Sequence, residues 1–68
     1  MITLTPAYGR DYKSKTAVLE DWNAGKDFVI QQIGHPYDGR YANKENMKDE
    51  GKVQLRYAKL TKVVIAEV

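Results

Sequence analysis

Apolar and polar side chains change their spacing several times along this chain, and each change marks an element. Ile2 and Leu4 alternate with Thr3 and Thr5, which is the two-residue period of a half-buried strand. Pro6 ends that strand, because it has no amide proton to offer a ladder. From Ser14 to Ala24 the spacing becomes helical. At about 100° per residue, Val18, Trp22, Leu19 and the stem of Lys15 share one arc, while Ala17, Glu20, Asp21 and Ala24 fall on the other side. Ser14 or Thr16 supplies the hydroxyl that caps the free amides at the start. Gly25 suits the left-handed position that ends many helices. Lys26-Asp27-Phe28-Val29-Ile30-Gln31-Gln32-Ile33 then carries three large apolar residues in a row. That predicts a strand covered on both faces, or central in its sheet, and broken by Gly34.

Beyond Gly34 the pattern is first irregular, then extended. Pro36 and Asp38-Gly39 make the stretch from His35 to Tyr41 a loop. Asn43 to Gly51 predicts a two-turn surface helix, with Asn43 as cap, Gly51 as stop, and Ala42 and Met47 as a hydrophobic staple. With Met47 its one large apolar residue it is marginal alone, and an irregular loop is the competing expectation. Val53, Leu55 and Tyr57 alternate with Gln54 and Arg56, so the first set is expected to face the core. The alternation loses parity near Ala58–Thr61, where a one-residue slip would turn a whole set of side chains to the wrong face. A hairpin through Lys59–Thr61 is favoured over a bulged continuous strand.

The order is therefore β-α-β-(short α)-β-β. It predicts one small α+β domain over residues 1–68, with a three- to four-stranded, mostly antiparallel sheet and the Trp22 helix on one face. A chain of 68 residues buries only about 60% of its unfolded surface. Stability should be modest, ~3–5 kcal/mol. The single Trp and single Phe both fall between Ser14 and Ile33, so that stretch is expected to anchor the core. Cysteine is absent, which excludes disulfides and thiolate metal sites and favours a reducing compartment. With no long apolar run and no basic-then-apolar start, neither a membrane span nor a signal peptide is expected. The expected location is the cytoplasm.

Little in the sequence points to catalysis. His35 is the one histidine, and it lies beside a proline in a loop, where a solvated or structural role is commoner than acid–base work. N and S ligands are too few for a metal site. Gly34 and Gly39 lack the Lys-Ser/Thr and the helix of a phosphate loop. The chain is therefore expected not to be an enzyme and to need no cofactor.

Two Tyr/Arg clusters remain: Tyr8, Arg10 and Tyr12 in the first loop, and Tyr37, Arg40 and Tyr41 in the second, with Arg56 on the strand beyond. Their plain alternative is tyrosines folded over the core edge with wet tips. The net charge of +2 is too small to imply nucleic acid by itself. The basic excess sits at the end of the chain, on Lys52, Arg56, Lys59 and Lys62 against Glu67, where Lys also guards exposed strand edges.

Tyr8-Gly9-Arg10-Asp11-Tyr12, Gly25-Lys26-Asp27-Phe28 and Pro36-Tyr37-Asp38-Gly39-Arg40, with Arg56-Tyr57 and Leu60 to Val63, resemble a group of short uncharacterised proteins of bacteriophages and related mobile elements. The resemblance implies a bacterial or phage cytoplasmic setting and carries no activity or functional residue. Two functions are then expected in order. The first is a protein-interaction module, an accessory factor or inhibitor that contacts a host protein or a second copy of itself, since Tyr and Arg are enriched at interface hot spots. The second is a binder of single-stranded DNA or RNA, using aromatic stacking beside a basic track. Convergence of Arg10, Arg40 and Arg56 with the tyrosines would favour nucleic acid, and their dispersal would favour protein.

Overall fold

Ser14 and Gly25 define the helix as their chemistry requires. A computed structural model describes residues 1–68, and α1 spans Lys15–Asn23. Of the two candidate caps it is Ser14 that acts: its Oγ accepts the Ala17 amide at 3.1 Å. At the far end Gly25 has φ +84°. Its amide donates to the Trp22 carbonyl, and the Lys26 amide donates to the Asp21 carbonyl, both at 3.1 Å. Those two bonds are the Schellman pattern, which needs a left-handed residue where Gly25 stands. Nine residues are too few for a helix to persist alone in water. Burial of Val18 and Trp22 holds it, and Ala17, expected on the far side, also packs against the core.

The sheet has five strands, not three or four. They are β1 (Ile2–Pro6), β2 (Phe28–Ile30), β3 (Tyr41–Ala42), β4 (Lys52–Tyr57) and β5 (Lys62–Glu67). They lie in the order β3-β2-β1-β4-β5. The sheet is mixed: β1 runs parallel to β4, with Leu4 opposite Leu55, and the other neighbours are antiparallel. The fifth strand comes from Tyr41–Ala42, which the loop composition concealed. The expected helix over Asn43–Gly51 is replaced by turns and a short 3-10 segment at Lys48–Glu50. Asn43 and Asn46 each accept the other's amide through their side chains, at 2.9 and 2.8 Å. That reciprocal capping satisfies the backbone locally and removes the need for a second helical turn. Ala42 and Met47 are nevertheless both buried, as a staple would bury them.

The sheet's two faces differ in kind. Ile2, Leu4, Phe28, Ile30, Val53, Leu55, Tyr57 and Ala66 join Trp22 and Val18 in one core. Trp22 has no exposed surface. Its indole meets the Phe28 ring edge-on, with centroids 5.6 Å apart, and its Nε1 donates to the Glu67 carbonyl at 3.3 Å. The helix thus reaches from the β2 side of the sheet to the edge strand β5. Register puts Thr3, Thr5, Val29, Tyr41, Gln54, Arg56, Val63 and Ile65 on the opposite face, which no helix covers. The predicted strand through Ile33 stops at Ile30, and Ile33 is 98% exposed.

β4 and β5 form the favoured hairpin. Tyr57 pairs with Lys62, and the connection holds three successive non-glycine residues with φ of +50°, +58° and +66° at Ala58, Lys59 and Leu60. Left-handed backbone costs such residues roughly 1–2 kcal/mol each. Contacts from elsewhere hold the turn. The Asp11 carboxylate accepts the Lys59 amide, the Tyr12 carbonyl accepts the Ala58 amide at 2.6 Å, and Thr61 Oγ1 donates to the Ala58 carbonyl at 2.7 Å. No helix is long and apolar enough to cross a membrane.

Candidate functional site

The seven Tyr and Arg side chains singled out by composition separate into three places. Arg10 and Tyr12 lie inside the fold. Tyr12 is only 8% exposed, and its ring stacks on Phe28 with centroids 6.3 Å apart. Its hydroxyl donates to Asp21 Oδ2 at 2.6 Å. Burial first, and this hydrogen bond second, push its pKa up to about 12. The Arg10 guanidinium lies over the Phe28 ring, 5.1 Å from its centroid, and 5.8 Å from that of Tyr12. Arg10 donates to the Ala7 carbonyl at 3.0 Å and to the Asp27 carbonyl, and pairs with Asp21 at 3.6 Å. These are contacts of a clamp between the first loop, α1 and β2. They engage its donors and place it over Phe28, while 23% of the side chain remains exposed.

Tyr8, Tyr37, Arg40 and Tyr41 gather instead at the β3 edge and are exposed. Tyr8 stacks on Tyr41 with centroids 5.6 Å apart and planes 24° off parallel. Tyr8 sits at φ +59°, and its hydroxyl donates to Asp27 Oδ2 at 3.4 Å. Partial desolvation, then the neighbouring Tyr41 and Asp27, raise its pKa. Arg40 lies over the Tyr37 ring at 4.9 Å, a cation–π contact. Between Arg40, Tyr37, Tyr41, Asn46 and Met47 is a shallow hollow of about 180 Å³. His35 belongs to the same loop, where its Nδ1 accepts the Tyr37 amide at 3.1 Å. The β3 edge also leaves backbone groups of Tyr41–Ala42 without a strand beyond them.

Arg56 is elsewhere, on the uncovered face of the sheet beside Thr5. It lines a broad cleft of about 690 Å³ with Val29, Gln31, Ile33, Asp38 and Leu60. Its Nη1 reaches the Leu60 carbonyl at 3.4 Å, and its Nε is buried without an acceptor.

Composition passed over several residues that shape these surfaces. Asp27 accepts from Tyr8, Arg10 and, at 3.2 Å through Oδ1, Asn43, and so ties both Tyr/Arg loops to the start of β2. Asp21 receives Tyr12 and Arg10. A lone acid beside a helix stop carries no signal of that in sequence. Ile33, Leu60, Val63 and Ile65 stay exposed, and the unbroken Val63-Val64-Ile65 run does not reveal which face is open. No group of three or more His, Cys, Asp or Glu side chains converges to hold a metal ion. No family model matches the chain, and no curated protein or solved structure is significantly similar to it.

Proposed function

We propose that this α+β domain is a non-catalytic protein-interaction module, a phage-type accessory factor or inhibitor that works in the cytoplasm on a host protein. Its contact surface is the β3 edge, built from Tyr8, Tyr37, Arg40 and Tyr41. The observation that carries this is the dispersal of the basic side chains. Arg10 is clamped inside, Arg56 lies on the uncovered sheet face, and Arg40 alone among the three stands with exposed tyrosines. A single-stranded nucleic acid needs a continuous basic track beside its stacking rings, and one arginine does not make a track. A protein partner needs less charge and more rigid aromatic area. The Tyr8–Tyr41 stack and the Arg40–Tyr37 pair are pre-ordered contacts of the sort that form interface hot spots.

Affinity capture on the immobilised protein, read by mass spectrometry against a bacterial extract, tests the assignment. A partner retained by the wild type and lost by Arg40→Ala/Tyr41→Ala is the expected result. Identical capture by both proteins removes the β3 edge as the contact. A parallel titration with labelled single-stranded DNA and RNA at low salt addresses the alternative: salt-sensitive binding there would transfer the same residues to nucleic-acid recognition.

A further inference from the structure

The cleft on the uncovered sheet face includes none of Tyr37, Arg40 and Tyr41, which line the hollow at the β3 edge. Its floor is Thr5 and Val29, and its walls come from the loop after β2 (Gln31, Ile33, Asp38) and the hairpin turn (Leu60). Arg56 is the only basic side chain that lines it. The chain's one ion pair is Arg10 with Asp21, so Arg56 has no acid of its own. Asp38 lines the same cleft, but its Oδ1 accepts the Gln32 amide at 3.0 Å and holds the loop. Arg56 makes one long hydrogen bond and leaves Nε buried and unsatisfied. A buried donor without a partner works against folding.

We infer that Arg56 receives the carboxylate of an apolar peptide end laid across this face. A guanidinium N–H donates a charge-assisted bond to a carboxylate, and Nη2, which makes no bond within the fold and is not buried, is the group free to do so. The apolar requirement comes from what surrounds it. Ile33 and Leu60 are exposed at the cleft, and Val63, opposite Arg56 in the β4–β5 ladder, and Ile65 continue the apolar surface to the sheet edge. These exposed aliphatic side chains match the aliphatic side chains of an extended apolar segment.

The test is a titration of the 15N-labelled full chain with acetyl-Gly-Val-Leu, followed by amide and Arg Nε–Hε shifts. Saturable shifts at Thr5, Val29, Leu60 and the Arg56 Nε–Hε group are expected. The same peptide with a C-terminal amide should bind at least about tenfold more weakly, the loss of one charge-assisted pair. Acetate and inorganic phosphate should not saturate in the same range. Arg56→Gln should abolish the difference between acid and amide while keeping the folded spectrum, and Leu60→Ala should weaken the acid several-fold. Equal binding of acid and amide by the wild type overturns the proposal without need of any variant. Saturation by acetate alone, or shifts confined to Tyr37, Arg40 and Tyr41, also overturns it. Since the β3-edge variants do not touch this cleft, failure here leaves the β3-edge assignment standing.

Discussion

The Tyr12 hydroxyl donates to Asp21 Oδ2 at 2.6 Å, joining the first loop to the last turn of the helix. Tyr12→Phe keeps the ring on Phe28 and deletes only this bond. A hydrogen bond to a charged group contributes about 1.5–3 kcal/mol, a large part of what a domain this small has in reserve. Urea denaturation should show a loss in that range. A loss below the noise of the fit would mean that Arg10 and solvent satisfy Asp21 unaided.

The same contact sets a pH dependence. Folding raises the Tyr12 pKa to about 12, whereas an unfolded tyrosine titrates near 10. The folded state therefore holds this proton more tightly than the unfolded one. Its contribution to stability is complete below about pH 10 and is lost as pH rises through the folded value. Thermal melts should fall across that window, and fall less in Tyr12→Phe. Phenolate absorbance at 295 nm should show two of the five tyrosines ionising late, Tyr12 at about 12 and Tyr8 above its ordinary value.

Trp22→Ala should unfold the protein. Large-to-small changes at buried aromatic sites cost ~3–5 kcal/mol, about the whole stability expected of this chain. Trp22→Phe retains most of the apolar area and loses the bond to the Glu67 carbonyl, so it should remain folded with a lower midpoint. Far-UV circular dichroism separates the two outcomes. A folded Trp22→Ala would show that the helix does not depend on its indole.

Lys59→Gly should stabilise the hairpin. Lys59 is exposed with φ +58°, and the Asp11 carboxylate accepts its amide, which glycine retains. Relief of left-handed strain, offset by the greater freedom of glycine in the unfolded chain, leaves a net gain of about 0.5–1 kcal/mol. Lys59→Val should lose stability, because a β-branched side chain fits this conformation worst. If the two variants melt alike, the turn is not left-handed in solution.

Tyr41→Ala and Arg40→Ala should leave the melting midpoint nearly unchanged, within about 0.5 kcal/mol of the wild type. Tyr41 contacts Tyr8 on the surface, and Arg40 contacts Tyr37. Arg10→Ala should be markedly destabilising, since it empties the clamp over Phe28. The contrast between Arg40 and Arg10, measured by the same melt, separates a contact residue from a structural one that composition could not tell apart.

The sequence by itself determined the local parts of this protein. Ser14, the Val18/Trp22 spacing and Gly25 specify α1, because capping and helical periodicity act between residues a few positions apart. The alternation of Val53, Leu55 and Tyr57 specified which face of β4 is buried, because a strand's two faces follow from its two-residue period. Only the tertiary structure decided the rest. The parallel pairing of Ile2–Leu4 with Val53–Leu55 joins distant segments, and no local pattern encodes it. The two-residue β3 exists because β2 offers it an edge. Arg10, Arg40 and Arg56 have the same chemistry in sequence, yet one is clamped inside, one stands at an edge and one lines a cleft. What separates them is the neighbours that folding brings: Phe28 and Asp21 for the first, Tyr37 for the second, and for the third a cleft in which it makes no ion pair.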